Sequence, residues 1–192
     1  MTRTQTKTRA PDKRVQSTFD RLVAALRELM TQAPYERISV AEICSRANVS
    51  RSSYYAHFTG KQALFDKSLE YLACELVADE DPNRSIDLVG KFSFLPGFLQ
   101  HAREHQAIYL ENRFGATRQV IHRNIVMLLS GLARNELSSS ARGARTSELT
   151  LTFLIGGAYA VIESWLEQGC REPVEQKLEQ LDALISDSLV LG

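Results

Sequence analysis

The stretch SVAEICSRANVSRSSYYAHF, residues 39–58, carries two helix-start signals close together. Ser39 is followed three positions later by Glu42, the spacing at which a serine side chain and a glutamate side chain satisfy each other's backbone N–H groups. That predicts a short helix from about Val40 to Ala47. Asn48 then stands where a chain leaving a helix turns left-handed, and after glycine, asparagine tolerates that conformation best. Ser50 is placed to cap a second short helix running to about Phe58. This second helix is polar for its length: it carries serines, an arginine, adjacent tyrosines and a histidine.

Before the quoted stretch, apolar residues recur at Val15, Phe19, Leu22, Leu26 and Leu29, steps of four and three that mark an amphipathic helix. Pro34 disfavours helix in the residue before it, so the spacing predicts an end near Ala33. A long helix, a capped short helix, a tight turn and a second short helix form the helix-turn-helix pattern, whose last element enters a DNA major groove. The chemistry of that element suits a groove. Arg51 can donate to guanine, Ser52 and Ser53 allow close approach, and Tyr55 and His57 can reach phosphate oxygens. Ser39 and Lys61 flank it. Tyr54, Ala56 and Phe58 are expected to face inward.

Charge supports this division. Residues 1–58 hold ten Lys/Arg against five Asp/Glu, a surplus of five, while the whole chain is neutral. Residues 1–11 read as a disordered basic arm, 12–58 as the DNA-binding domain and 59–79 as a connecting helix. Thr59 is its cap, and Phe65, Leu69, Leu72 and Leu76 share one face. Residues 80–192 follow as a larger helical domain, with helices over about 98–113, 117–137, 147–168 and 173–190. Residues 79–85 and 138–145 have loop composition. Pro96-Gly97 marks a kink or helix boundary. No segment alternates as a strand does, so the fold class is all-α, with about nine helices. Three cysteines without CxxC spacing argue against a disulfide framework or zinc knuckle; Cys44 and Cys74 are expected buried and Cys170 more exposed. The N-terminus lacks a secretory pattern, and the apolar run 149–162 is short for a membrane span. These features point to a cytoplasmic protein with no membrane partner.

The segment SVAEICSRANVSRSSYYAHFTGKQALF resembles the DNA-binding signature of the TetR family of bacterial transcriptional regulators. Ser39 matches the family's opening Ser/Thr, ANVS its Ala-Gly-Val-Ser turn, YYAHF its recognition helix and KQAL the following Lys-x-x-Leu. Asn48 replaces the usual glycine, Thr59-Gly60 departs from the usual start of the fourth helix, and Tyr54 stands where Leu is common. The resemblance implies a homodimer on a palindromic operator in double-stranded DNA, usually as a repressor released by a small-molecule effector. It also implies phosphate contacts at Ser39, Tyr55, His57 and Lys61, and base contacts at Arg51, Ser52 and Ser53.

Such a protein is not an enzyme and needs no cofactor. Its C-terminal domain binds the effector and dimerises. Val174, Leu178, Leu181, Ile185 and Leu189 form a helical seam. The helix before it is apolar nearly all round, with Phe153, Gly157, Ala160 and Trp165 along it. Together they suit a two-chain four-helix bundle; the alternative is burial within one chain. Phe92, Phe94, Phe98, His101, Tyr109, Phe114, His122 and Met127 mix aromatic and sparse polar groups, as small-molecule pockets do. One competing motif stands among them. His101-Ala-Arg-Glu104-His105 matches H-x-x-E-H, a zinc hydrolase pattern that would need a third ligand such as Glu111 or His122. A metal-sensing regulator using His101, His105 and His122 is the related alternative.

Overall fold

The computed structural model describes residues 13–78, 91–138 and 146–190, with side chains described from residue 16 to 188 within those ranges. The expected basic arm and the two expected loops at 79–85 and 138–145 therefore lie outside the described residues, apart from Ser138, which ends a helix. All regular structure among the described residues is helical.

Helix α1 spans Lys13–Met30, with Leu22, Val23, Leu26 and Met30 buried. It stops short of Ala33. The N–H groups of Thr31 and Gln32 bond three residues back, and the Thr31 hydroxyl donates to the Glu28 carbonyl at 2.7 Å, so the last turn unwinds before Pro34. A 3-10 turn, Tyr35–Arg37, leads into α2, Val40–Ala47. The predicted capping box is formed: Ser39 Oγ accepts the Glu42 N–H at 3.2 Å, and the Glu42 carboxylate accepts the Ser39 N–H at 2.7 Å. The Ser39 hydroxyl also donates to the Glu42 carboxylate at 2.6 Å, and that bond, with the Ser39 N–H, holds the Glu42 carboxyl below the usual carboxylate range. Asn48 takes φ 51°, ψ 49°, the expected left-handed turn.

Helix α3 is Arg51–Tyr55, capped by Ser50 and shorter than the predicted helix to Phe58. Ala56 already forms its C-cap and is exposed, contrary to the inward position expected for it. Helix α4, Lys61–Ala78, carries Leu64 and Phe65 into the N-terminal core and Leu72 and Leu76 into the C-terminal one. This single helix thus belongs to two hydrophobic clusters.

In the C-terminal part, α5 is Leu95–Glu104, α6 Gln106–Glu111, α7 Gly115–Ser138, α8 Glu148–Glu167 and α9 Val174–Val190. Pro96 lies inside the first turn of α5, where a missing N–H costs no intrahelical bond. The Glu136 carboxylate of α7 accepts from Ser93 N–H at 3.0 Å and Ser93 Oγ at 2.6 Å, closing that helix start. At Gly97 a Cβ would meet Leu76 Cδ2 at 3.1 Å, so glycine permits α5 to close on α4. The helical pattern over 98–113 is divided at His105 into α5 and α6, a break the family resemblance also implies near residues 103–105.

Helix α8 is long and apolar enough by composition to cross a membrane, but half of that stretch is buried inside the fold. Leu151, Leu154, Ile155, Tyr159, Ile162, Trp165 and Leu166 pack into the core, while Leu149 and Phe153 are 80% and 74% exposed. Its expected burial on all sides is therefore not met within one chain. Nor is Trp165 available to a partner. The same correction applies to the α9 seam. Val174, Leu181 and Ile185 are buried in this chain's own core and Leu178 packs against it, because α9 turns its apolar stripe toward α5 and α8. The Leu189 side chain lies outside the described residues. Among the cysteines, Cys44 is buried as expected, Cys74 is exposed against expectation, and Cys170 is intermediate. Cys74 sits on the polar side of α4, off the Leu72–Leu76 stripe.

Candidate DNA interface and internal cavity

The two capped helices α2 and α3 set one polar surface. Arg51, Ser52, Ser53, Tyr55 and His57 are all exposed, as is Ser39 at the start of α2. Tyr54 alone of this helix is fully buried, with its ring 5.4 Å from that of Phe58. The helical period separates the two tyrosines: position 54 points to the core and position 55, 52% exposed, points out. Around the Ser50 cap three hydroxyls lie together. Ser50 Oγ accepts the Ser53 N–H at 3.1 Å and lies 3.0 Å from Ser52 Oγ and 2.9 Å from Ser53 Oγ.

Lys61 differs from the other predicted contacts. It is partly buried, its ammonium donates to the carbonyls of Tyr35, Glu36 (3.0 Å) and Ile38 (2.8 Å), and it lies 4.4 Å over the Tyr35 ring. An ammonium has three N–H donors, and all three are directed into the turn between α1 and α2. Burial lowers its pKa, partly offset by Glu36 and Glu42.

A cavity of about 130 Å³ lies where α1 and α4 meet α5, α6, α7 and α8. Of the residues predicted for a pocket, Phe98, His101 and Tyr109 line it. Phe92 and Phe94 instead stack on each other in the C-terminal core, 5.2 Å between ring centres. Phe114 and Met127 are 72% and 66% exposed. His122 is beside the cavity, its ring 5.1 Å from Tyr159 and its Nδ1 3.4 Å from the Glu163 carboxylate. The lining also includes His105, expected only as a metal ligand, and Arg27, Ser68 and Tyr159, which the sequence reading missed. Arg27 reads as the solvent face of α1, and Tyr159 as one more apolar residue of α8. Only the docking of the two parts turns both toward the same space.

Burial inside this cavity shifts its polar groups. His101 is pushed down to about 3 by burial, with His105 and Arg27 adding to the effect, so its imidazole is neutral at physiological pH. Burial also raises the Tyr109 and Tyr159 phenols, with the Glu163 carboxylate contributing to both. The Tyr109 hydroxyl donates to Glu167 at 3.3 Å. His101 and His105 stack face to face, 4.2 Å apart, and His105 Nδ1 is 2.9 Å from the His101 carbonyl. Among the described residues no three His, Cys, Asp or Glu side chains are grouped to hold a metal ion. The H-x-x-E-H match is thus a pair of stacked rings at a helix break. The proposed His101/His105/His122 set is not assembled, because His122 turns to Glu163.

Residues 22–67 match the family model for the bacterial regulatory proteins, tetR family. The chain is 24% identical to the transposon Tn10 TetC protein of Escherichia coli over 176 residues, 92% of this chain and 76% of that one. Its fold is similar to that of a TetR transcriptional regulator from Streptococcus agalactiae, with 20% identity, a TM-score of 0.63, and 91% and 97% of the two chains covered. It is also similar to a tetR-family transcriptional regulator from Streptomyces coelicolor, with 20% identity, a TM-score of 0.60, and 90% and 83% covered. The capped helix-turn-helix thus lies inside the segment that matches the tetR family of bacterial regulatory proteins, and the all-helical fold around it is similar to that of these two regulators.

Proposed function

We propose that the chain is a ligand-responsive repressor that binds a palindromic operator as a homodimer. The observation that carries the reading is the position of the cavity. Its walls include α1 and α4, which hold the helix-turn-helix, and α5 to α8 of the C-terminal part. An occupant there touches both bodies and favours one arrangement of them. A ligand that binds the DNA-incompetent arrangement better shifts the population away from the operator.

Base reading falls to Arg51, Ser52 and Ser53, and phosphate contact to Ser39, Tyr55 and His57. Lys61 serves the interface indirectly, by holding the turn that orients α2. The dimer face is the exposed stripe of α8, Leu149, Phe153, Gly157 and Ala160, continued by Leu184 of α9, which is 56% exposed. A Cβ at Gly156 or Gly157 would meet nothing within 4 Å in the single chain, which leaves room for a second helix to approach closely. Two recognition helices spaced by such a dimer read two half-sites one helical turn apart.

Fluorescence anisotropy with labelled DNA from upstream of the chain's own coding region tests this. Expected are sequence-specific binding, a steep loss of affinity with salt, and roughly tenfold or greater weakening in Arg51→Ala. Affinity that is indifferent to sequence and unchanged in Arg51→Ala and Tyr55→Phe would refute the reading.

A further inference from the structure

The cavity also bears on what enters it, an inference that rests on the effector-site reading above. Its size is that of one ring: an apolar protein cavity of about 150 Å³ binds benzene, and this one measures about 130 Å³. Its walls are largely apolar, with Leu26, Phe65, Leu72, Phe98, Ile125 and Ile162 among them. A single charged side chain, Arg27, lines it. Among the described residues its guanidinium has no hydrogen-bond or ion-pair partner; Glu75 acts on it only at longer range.

Two further carboxylates close to the cavity are engaged elsewhere. Glu163 lies 3.7 Å from Arg118 and 3.4 Å from His122, and Glu167 accepts from Tyr109. Neither lines the cavity. An occupant therefore meets apolar walls, phenol and imidazole hydrogen-bonding groups and one cation that no carboxylate among the described residues contacts directly, Glu75 offsetting its charge only at longer range. Partial burial of an unpaired cation is costly, and a ligand anion that pairs with it recovers that cost through charge-assisted hydrogen bonds.

We propose that the cavity takes a single-ring aromatic carboxylate, with its ring among Phe98, Ile125 and Tyr159 and its carboxylate on Arg27. The assignment carries a regulatory consequence. Arg27 is on α1, within the DNA-binding part, one turn before Met30. The ligand's acid group would thus bind the DNA-binding part directly while its ring packs on the C-terminal helices.

Isothermal titration of the full chain with benzoate, benzyl alcohol and benzylamine decides it, with operator binding measured separately by anisotropy in the absence of ligand. The expected result is benzoate binding at least tenfold tighter than benzyl alcohol, with benzylamine weakest. In Arg27→Met benzoate should fall to the level of benzyl alcohol, while benzyl alcohol itself is unchanged; Arg27→Lys should keep part of the preference. The proposal is overturned if none of the three binds wild type, if benzoate shows no preference over benzyl alcohol, or if Arg27→Met retains the preference. Should Arg27→Met fail to fold, wild type and Arg27→Lys decide by the same preference. Specific operator binding without benzoate preference overturns this inference alone, whereas absent operator specificity overturns the regulatory reading.

Discussion

Asn112 accepts the backbone N–H of Tyr35 at 2.8 Å. The same side chain donates to the Met30 carbonyl at 3.0 Å and to the Ile108 carbonyl at 2.8 Å, and it is 2% exposed. A buried amide at the end of α6 thereby ties the end of α1 and the turn before α2 to the C-terminal part. Asn112→Ala leaves a buried N–H and a buried carbonyl without these partners, so it should cost about 3 kcal/mol. Urea denaturation checks the stability loss. Operator titrations with and without effector should then show weaker coupling, because the tie between the two parts is gone.

Tyr54 is fully buried and its hydroxyl has no hydrogen-bond partner. Burial pushes the phenol up to about 12. Tyr54→Phe removes an orphaned polar atom and keeps the ring against Phe58. It should stabilise the protein by about 1 kcal/mol and leave operator affinity unchanged. A drop in thermal midpoint would contradict the inward placement.

Lys61 separates a phosphate contact from a structural tie. Losing a phosphate contact lowers the salt slope of operator binding by about one. With its ammonium spent on Tyr35, Glu36 and Ile38 carbonyls, Lys61→Met should instead destabilise the fold by about 2 kcal/mol. The salt slope should hold. Denaturation and salt-dependent anisotropy on the same variant distinguish the two.

His101 links stability to pH. Its folded pKa lies near 3, below the ordinary value of 6.5, so below pH 6.5 the unfolded chain binds the proton that the folded chain refuses. Its contribution is full above 6.5 and is lost as pH falls toward 3. Between pH 7 and pH 5 this should remove about 2 kcal/mol. His101→Leu should flatten that part of the pH dependence, as read from urea midpoints.

Phe153, 74% exposed on α8, tests the dimer face. Phe153→Glu places a charge at the centre of the uncovered stripe. Sedimentation should show a shift toward monomer, and operator affinity should fall at least tenfold. A folded variant that remains dimeric would move the interface elsewhere.

The Ser39/Glu42 box, the left-handed Asn48 and the Ser50 cap were legible in the sequence because each depends on residues within a few positions of one another. The same holds for the outward Tyr55 and inward Tyr54, once the helix start is known. Tertiary packing set the rest. In the sequence Lys61 reads as a phosphate ligand, and only the folded turn at Tyr35–Ile38 shows three carbonyls around its ammonium. The apolar stripe of α9 told only that something covers it, and the covering proved to be this chain's own core. Arg27, Asn112 and Tyr159 are distant in sequence, and no local pattern brings them together. Backbone capping is a short-range hydrogen-bond problem that sequence states directly. Which face meets which, and what space remains between, depends on helices docking across long sequence separations, where apolar stripes specify burial but not a partner.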